Sequence, residues 1–392
     1  MPCASAVQEV GMTEREEASL GPDQHNGTLA RYFGVDLHKE QITWHCIALK
    51  ANGETERTTG KMATTRLEAE FIPILDSSNC YLIVEASCST FFFYSLVEAH
   101  CTKAFVINPS AFRELYMTGR KTDRIDARKL ADRLKYHIET GDPDDGFPAV
   151  FVPDDETLKI RKLVTTYELL VKQMTQLKNQ LTAVFRSKLI VGYEDILDEG
   201  VERIEDDLRL DNADRLMVRA LAAAHASLRQ EKDSIKQAIL DIGVHRFRRE
   251  AGLLVSVSGV SVMGAVVFMS DIVDINRFRS AKKMTAYLAS VGKVDASGNT
   301  TRNGGLNKRG RRTSYRFILQ GLEHIVHGNE GFQKFRERHA SKKANKVRAA
   351  IVRKTFVAMY YMLKNDEPYR FMDTRIYSRK TREIEKILEN VA

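Results

Sequence analysis

The order of short apolar segments between residues 31 and 140 restricts the fold of this chain more than any other feature. Two segments with the composition of β-strands, residues 32–37 and 42–49, precede a turn at Asn52-Gly53 and a third, polar strand. A tight turn between two strands favours antiparallel pairing. The first ordered part of the chain is therefore predicted to be a three-stranded antiparallel meander.

Helices and strands alternate after this meander. Helical spacing of apolar residues over 65–75 and 91–99 alternates with the apolar strands 81–84 and 104–107, and a third helix is predicted to begin near Thr122. The order of three strands, helix, strand, helix, strand, helix is similar to that of the ribonuclease H superfamily. It predicts an α/β, RuvC-like domain in the N-terminal part of the chain.

Changes in composition divide the chain further. Residues 1–30 are polar without apolar periodicity and are expected to be a mobile leader before a domain at 31–150. A stretch rich in Gly, Pro and Asp at 141–153 is interpreted as a linker. Helical spacing over 151–245 predicts long paired helices or a coiled coil that joins protomers. Residues 246–392 are predicted to be a mainly α C-terminal domain.

The charge of the chain indicates a polyanionic partner. Sixty Lys and Arg against 52 Asp and Glu give a net charge of +8, and the isoelectric point is near 9.1. This balance favours nucleic acid or an anionic membrane. Apolar runs stay below the roughly 18 residues that a membrane-spanning helix needs, and a secretory signal pattern is missing, so nucleic acid is favoured.

The five cysteines indicate where the protein is found. They contain no C-x-x-C pair, which argues against both a disulfide framework and a cysteine zinc site. Cys46, Cys80 and Cys101 are expected to be small buried side chains. A reducing cytoplasm fits this pattern.

Four acidic residues lie where the predicted topology collects side chains. Asp36 ends the first strand, Glu85 follows the fourth, and Asp123 and Asp126 lie one turn apart at the start of the third helix. Because the first and fourth strands are predicted neighbours, the four carboxylates are expected to converge. Such charges repel unless a hard divalent cation binds, so Mg²⁺ or Mn²⁺ is predicted. Each residue alone can instead be a turn or helix cap, Asp123 in particular.

Two features of the C-terminal part indicate contacts with phosphate groups. Leu253–Phe268 has glycines, among them Gly259, between two apolar helical patterns and resembles a helix-hairpin-helix, in which glycine lets the backbone approach a phosphate. An ordinary helical turn is the alternative. Ser297 lies in a polar turn before Gly298 and can act as a nucleophile with guanidinium groups nearby, although a Ser-Gly pair is more often only a turn.

Two basic runs are predicted to bind a nucleic-acid backbone without reading sequence. The first follows Ser297 with no acidic residue between its members, and the second is interpreted as one helix lying along the backbone. A solvated surface is the alternative for both. The residues predicted to bind nucleic acid are Arg302, Lys308, Arg309, Arg311, Arg312, Arg316, Lys342, Lys343 and Lys346.

These segments together resemble the DEDD transposases, insertion-sequence recombinases with a RuvC-like domain that include Piv-type DNA invertases and bridge-RNA-guided recombinases. The resemblance extends from Tyr32 to about Leu363. The N-terminal signatures are Gly34-Val35-Asp36-Leu37-His38-Lys39, Val84-Glu85-Ala86-Ser87, Val106-Ile107-Asn108-Pro109 and Lys121-Thr122-Asp123-Arg124-Ile125-Asp126-Ala127-Arg128. The C-terminal signatures are Ser258-Gly259-Val260, Phe278-Arg279-Ser280-Ala281-Lys282 and the spacing from Tyr287 through Ser297 to Lys308. Gly292 and Cys88 depart from residues that are common in the family.

The resemblance implies roles for particular residues. Asp36, Glu85, Asp123 and Asp126 correspond to a quartet that binds Mg²⁺ or Mn²⁺, and Ser297 corresponds to a nucleophile that attaches covalently to DNA. It also implies donor and target DNA as substrates, a bridge RNA as guide, a dimer or tetramer, and a place in the bacterial cytoplasm at the nucleoid.

The expected function is metal-dependent DNA strand cleavage and rejoining. A RuvC-like structure-selective endonuclease, a DNA invertase and a non-catalytic nucleic-acid-binding protein remain as alternatives. The residue pattern alone does not decide among them.

Overall fold

The computed structural model of the protein describes residues 28–109, 122–142, 145–193, 196–199, 207, 209–288, 290, 292–297, 300–306 and 310–389, with backbone only for 292–306. The described chain divides into two compact units, one ending at Val152 and the other beginning at Pro153. Among these residues, every helix is too short or too polar to cross a lipid bilayer.

A six-stranded mixed sheet forms the centre of the first unit. Its strands are β1 (Thr28–Leu37), β2 (Gln41–Lys50), β3 (Thr55–Ala63), β4 (Cys80–Glu85), β5 (Lys103–Ile107) and β6 (Ala149–Val150). They lie in the order β3-β2-β1-β4-β5-β6. The first three strands pair antiparallel, β4 is parallel to both β1 and β5, and β6 is antiparallel to β5. The predicted meander and the predicted pairing of the first and fourth strands are therefore confirmed.

Strand β1 begins earlier than the sequence pattern indicates. Thr28 already pairs with Lys50 of β2, three residues before the predicted start of the domain at 31. The rest of the predicted leader, residues 1–27, lies outside the described residues.

The two faces of the sheet carry different helices. Helix α1 (Thr90–Val97) belongs to an apolar cluster with Phe33, and that cluster includes the buried free cysteines Cys46, Cys80 and Cys101. Helix α2 (Asp123–Thr140) packs through Leu130 and Leu134 on the other face. Both helices and the burial of the three cysteines agree with the predictions.

The helix predicted over 65–75 is wrong. The chain forms a 3₁₀ turn at Thr64–Arg66, a π turn at Leu67–Phe71 and a second 3₁₀ turn at Ile72–Ile74. Pro73 has no backbone N–H to donate, and its ring clashes with the preceding turn of an α-helix. The apolar spacing still buries Leu67 and Phe71, which is why it resembled a helix in the sequence.

The segment after α2, interpreted as a linker, is in part packed on the first unit. Asp145 has a side chain only 2% exposed and accepts a hydrogen bond from Arg133 Nη1 at 2.9 Å. His137 Nδ1 lies 2.9 Å from the same carboxylate, and the rings of His137 and Phe147 stack with centroids 3.9 Å apart. Together with the pairing of β6 and β5, these contacts hold residues 145–150 against the sheet and α2.

We expect the Asp145 ion pair to make the first unit sensitive to acid. Burial alone raises the pKa of Asp145, but hydrogen bonds from Arg133 and His137 outweigh it and lower the pKa to about 2. An unfolded Asp titrates near ~3.9, so the unfolded chain binds more protons between these values. The stabilisation is thus fully present above about pH 4 and is lost as the pH falls towards 2.

The variant Asp145→Asn tests this, because it leaves the Arg133 guanidinium buried without its counter-charge. The free energy of unfolding at neutral pH should fall by about 3 kcal/mol, and its decrease between about pH 4 and pH 2 should become shallower. Urea unfolding across this pH range measures both effects. Asp132→Asn, which removes an exposed partner of Arg57, is the control and should cost under about 1 kcal/mol. Equal losses in the two variants contradict the prediction.

The described part of the second unit is helical except for one hairpin. Its helices are α3 (Asp155–Ser187), α4 (Ile196–Glu199), α5 (Asn212–Arg246), α6 (Arg248–Leu254), α7 (Val262–Ile272), α8 (Ala281–Tyr287), α9 (Thr313–Gln320), α10 (Leu322–His327), α11 (Glu330–Arg338), α12 (Ala344–Asn365) and α13 (Thr374–Glu389). A 3₁₀ turn lies at Ile275–Arg277. The hairpin consists of β7 (Gly292–Ser297) and β8 (Thr300–Leu306) and is called the serine hairpin below.

The long helices α3 and α5 pack side by side in opposite directions. Asp154, the N-cap of α3, is 3.1 Å from Arg246 at the end of α5. At the other end of the pair, Lys188 is 2.7 Å from Asp214. The predicted pair of long helices is present, while its role in joining protomers stays a prediction.

Helix α7 lies at the centre of the second unit. All of its residues from Val262 to Ile272 are buried, as expected for a helix that neighbours surround on every side. Helices α3, α5, α9 and α12 contribute side chains to the same apolar cluster.

The single basic helix predicted after residue 336 is wrong. Helix α11 ends at Arg338, and α12 begins only at Ala344. The turn between them carries Lys342 and Lys343, so the second basic run is divided between a turn and two helices.

Candidate active site

Three side chains meet at one edge of the sheet in the first unit. His38 Nε2 lies 3.2 Å from a carboxylate oxygen of Asp36 and 3.4 Å from one of Asp123. One nitrogen or oxygen of each residue falls within 4.8 Å of the others. The Asp36 side chain is 20% exposed, whereas those of His38 and Asp123 are 48% and 42% exposed, so the group is open to solvent on one side.

Two local features bring Asp123 to Asp36. Thr122 caps α2 by accepting a hydrogen bond from the Ile125 N–H, which starts the helix at Asp123. Gly34 on β1 lets that helix cross the strand closely, because a Cβ at this position would lie 2.2 Å from the Ala127 carbonyl oxygen. The glycine two residues before Asp36 thus sets the distance between strand and helix.

Like charges surround the Asp36 carboxylate. Burial raises the pKa of Asp36, His38 lowers it, and Asp123 and Asp126 raise it again. The net effect is a pKa above its ordinary value. A carboxylate that is half-buried beside two others is stabilised by a bound cation, since the cation removes the repulsion between them.

Glu85 and Asp126 lie near this group without joining it. Strand pairing aligns Val35 with Val84, so Asp36 and Glu85 follow side by side at the ends of neighbouring strands. Asp126 is close enough to Asp36 to raise its pKa. Among the described residues, only Asp36, His38 and Asp123 have ligand atoms that all lie within 4.8 Å of one another, so Glu85 and Asp126 are not part of this group. The structure brings Asp36 and Asp123 together and places Glu85 and Asp126 at the border.

The loop after Glu85 is fixed by one buried hydroxyl. Thr90 Oγ1, at the start of α1, donates to the Glu85 carbonyl oxygen at 2.7 Å and accepts from the Ser87 N–H at 2.8 Å. Cys88, a departure from the family pattern, has an exposed side chain in this loop.

His38 was not among the predicted site residues. It lies two positions after Asp36 in the first family signature, and alternate residues of an extended chain point to the same side. That spacing was the available signal.

These residues fit a divalent cation. Two carboxylates and one imidazole nitrogen at such separations are donors that Mn²⁺ accepts, and carboxylate oxygens are the preferred ligands of Mg²⁺. Asp36, Asp123 and His38 would hold the ion, with Glu85 and Asp126 next to it.

Ser297 lies at the tip of the serine hairpin. It is the last residue of β7 and pairs with Thr300, the first residue of β8. The sequence pattern indicated only a polar turn at residues 295–299, and the two strands are an addition. Arg302 lies on β8 and pairs with Asp295 on β7. The side chains of Ser297 and Arg302 are outside the described part of the structure, and so are all atoms of Lys308 and Arg309.

The base of the serine hairpin is closed by contacts with α7. The backbone N–H of Arg311 donates to the Tyr287 carbonyl oxygen at 2.9 Å, which joins the residues before and after the hairpin. The Arg311 Nε also bonds the buried carboxylate of Asp271 on α7. Asp271 further accepts hydrogen bonds from Ser314 N–H at 3.1 Å and Ser314 Oγ at 2.6 Å.

The predicted nucleic-acid-binding residues therefore differ in what they contact. Arg311 is paired with Asp271, and Arg316 makes two hydrogen bonds of 2.5 to 2.6 Å to Glu168. Arg312 is half-buried at the start of α9. Three lysines have exposed side chains: Lys342 and Lys343 in the turn before α12, and Lys346 in the first turn of that helix.

Gly259 has an internal reason to be glycine. A Cβ at this position would lie 2.2 Å from the Gly321 carbonyl oxygen, and one at Gly321 would lie 1.8 Å from the Gly259 carbonyl oxygen. The two backbones touch where α9 meets α10. Close packing within the protein is sufficient to require glycine here, while the helix-hairpin-helix and its contact with phosphate stay a prediction.

Family comparisons agree with this arrangement. Residues 33–189 match the model of DEDD transposases of the IS110 type, and residues 251–340 match the model described as Transposase IS116/IS110/IS902 family. The two matches together cover more than half of the chain, and no curated protein matches it. A mixed α/β domain with a carboxylate site and a helical transposase domain define a DNA transposase. The chain belongs to the IS110 family of DEDD transposases.

Proposed function

We propose that this transposase cleaves and rejoins DNA strands with Ser297 as nucleophile and a divalent cation at the Asp36 site. The observation that carries the proposal is that Asp36, His38 and Asp123 meet within 4.8 Å at the sheet edge. Asp126 is close enough to raise the pKa of Asp36, and Glu85 lies on the adjacent strand. Clustered carboxylates in a DNA-binding protein repel the DNA phosphates unless a bound cation neutralises them. A cation-binding role therefore explains why these residues lie together.

In this proposal the carboxylates bind the cation and orient it. A bound Mg²⁺ or Mn²⁺ would stabilise negative charge on the oxygens of the reacting phosphate. Without a cation, His38 holds Asp36 and Asp123 in place through its Nε2. With a cation bound, an unprotonated imidazole nitrogen would serve as a ligand that Mn²⁺ accepts more readily than Mg²⁺.

Ser297 attacks phosphorus in the proposed cleavage step. The bond between the serine oxygen and phosphorus forms as the bond to the leaving sugar oxygen breaks, and the serine proton ends on that sugar oxygen. Rejoining is the reverse reaction with a hydroxyl from another strand. The position of Ser297 at the end of β7, paired with Thr300 at the start of β8, supports this role because the end of a hairpin is the part that a DNA strand can reach.

The basic residues bind the DNA backbone in this proposal. Exposed Lys342 and Lys343 before α12 and Lys346 in its first turn offer ammonium groups to phosphates. Arg311 and Arg316 act mainly within the protein, since Asp271 and Glu168 already bind their guanidinium groups. By resemblance to the family we further propose a guide RNA that pairs donor and target, and a dimer or tetramer as the active assembly.

A covalent protein–DNA adduct is the expected product that tests the nucleophile. Protein incubated with supercoiled donor and target DNA, Mg²⁺ and any copurifying RNA should give an adduct that survives denaturing electrophoresis. Ser297→Ala should give none, because alanine has no hydroxyl. Thr301→Ala, on the facing strand of the same hairpin, is the matched control and should keep the adduct.

Each other outcome identifies a different activity. An adduct with Ser297→Ala shows that another residue is the nucleophile. Free DNA ends without any adduct in the unchanged protein indicate a nuclease that uses water. DNA binding without cleavage, unaffected by Mg²⁺, indicates a protein that only binds nucleic acid.

A further inference from the structure

Lys380 on α13 is a buried lysine with an unusual set of partners. Only 7% of the residue is exposed. Its Nζ lies within hydrogen-bond distance of four backbone carbonyl oxygens, those of Val255 (3.1 Å), Val257 (2.9 Å), Ser258 (2.9 Å) and Val260 (2.7 Å). In the part of the chain that the structure describes, no carboxylate lies within ion-pair distance of this ammonium group.

The four carbonyls belong to one turn. Helix α6 ends at Leu254 and α7 begins at Val262, so no continuous helix supplies N–H donors to the carbonyls of this turn. The Val257 carbonyl accepts one backbone hydrogen bond, from the Val260 N–H at 2.9 Å. The carbonyl oxygens of Val255, Val257, Ser258 and Val260 all lie around one point, which the Lys380 Nζ occupies. Burial lowers the pKa of Lys380 to about 8, with a further lowering by Arg379, so the amine still carries its charge at neutral pH in most molecules.

The number of partners indicates that charge, more than hydrogen-bond direction, fixes this arrangement. An ammonium group has three hydrogens, yet four carbonyl oxygens surround it at 2.7 to 3.1 Å. A ring of backbone carbonyls around a single positive charge is the arrangement by which proteins replace the hydration shell of a potassium-like cation.

We propose that the turn 255–260 is a monovalent-cation site of the K⁺ type and that Lys380 fills it permanently with its own ammonium group. The last helix of the described chain thereby supplies the cation that the turn requires. The consequence is that the turn keeps its shape whatever the surrounding K⁺ concentration.

The binding of the Lys380 ammonium group by the turn 255–260 matters because of where the turn lies. Gly259 in the turn touches the backbone at Gly321, and Ser256 Oγ accepts a hydrogen bond from the Tyr369 N–H at 2.7 Å. The turn leads directly into α7, whose far end carries Asp271 at the base of the serine hairpin. A turn that lost its cation would therefore loosen the start of the helix that holds the hairpin.

Removing the ammonium group should create a protein that needs K⁺. We expect Lys380→Ala, which leaves a channel to the four carbonyls, to melt about 5 °C or more below the unchanged protein in tetramethylammonium chloride, an ion too large to enter. In KCl of equal ionic strength at least half of that loss should be recovered. The unchanged full-length protein should melt at the same temperature in both salts.

Two further variants keep this experiment decisive. Lys386→Ala removes an exposed lysine from the same helix and should behave as the unchanged protein in both salts. Lys380→Met keeps the apolar stem and leaves only the ammonium position open, and it is measured in case the alanine variant does not fold. The proposal is overturned if KCl does not raise the melting temperature of either Lys380 variant above its value in tetramethylammonium chloride. This includes the result that both variants lose the same stability in the two salts, and the result that neither variant loses stability. No DNA enters this test, so its result is independent of the proposed recombinase activity.

Discussion

Asp36→Asn is expected to reduce metal-dependent strand cleavage by about 10³-fold or more. The substitution keeps the shape of the side chain but removes the negative charge that a cation requires at the centre of the site. A cation that is lost or misplaced no longer stabilises charge on the reacting phosphate, which is worth several kcal/mol, or about three powers of ten in rate. Cleavage of supercoiled donor DNA, followed over time at saturating Mg²⁺, measures the effect.

The same variant separates a metal site from a structural ion pair. Calorimetric titration with Mn²⁺ should show binding to the unchanged protein and greatly weakened binding to Asp36→Asn. Asp132→Asn, which removes an exposed carboxylate from the same helix as Asp123, is the control and should bind Mn²⁺ normally. Normal cleavage and normal Mn²⁺ binding by Asp36→Asn would remove the basis of the proposed mechanism.

Gly34→Ala is expected to damage both the fold and the site of the first unit. The new Cβ would lie 2.2 Å from the Ala127 carbonyl oxygen and 2.4 Å from the Ala131 nitrogen, which are backbone atoms of α2 that cannot turn away. The helix must move outward, at a cost of about 2 to 3 kcal/mol in the free energy of unfolding. Because Asp123 moves with the helix, Mn²⁺ binding should weaken as well.

Urea unfolding and Mn²⁺ titration measure the two effects of this variant. Gly252→Ala provides the comparison, since a Cβ there meets nothing within 4 Å and the residue is in helix α6. That control should leave the protein as stable as before or slightly more so. A Gly34→Ala protein that is as stable as the control and binds Mn²⁺ equally well shows that the strand and helix do not need their close contact.

The sequence was sufficient to predict the elements that carry the acidic residues. Periodicity placed Asp36 and Glu85 at strand ends and Asp123 at a helix start, and the structure has all three there. These predictions succeed because alternation along a strand and capping of a helix depend on neighbouring residues.

Contacts between residues far apart in the chain were beyond such patterns. No acidic residue stands near Arg311 in the sequence, whereas in the fold Asp271, forty positions away, binds it. The backbone of Gly321, which lies against Gly259, was equally hidden from the sequence pattern. Both partners are brought close only by the packing of α7 and α9, which no local pattern encodes.

Short-range patterns also failed where one residue opposed them. Pro73 prevents the helix that the apolar spacing of 65–75 favours.

Between Gly292 and Leu306 the chain forms a hairpin although the segment has few of the β-branched residues that signal strands. The Gly298-Asn299 pair that follows Ser297 in the sequence was the local signal for a hairpin.

The hydrogen bond from the Arg311 N–H to the Tyr287 carbonyl oxygen has a consequence for how this transposase can change. The serine-bearing insertion leaves and re-enters the helical unit at a single point, so alterations within it need not disturb the packing of the helices that support it. Residues near Ser297, the proposed nucleophile, can thus be exchanged while the scaffold below them stays the same.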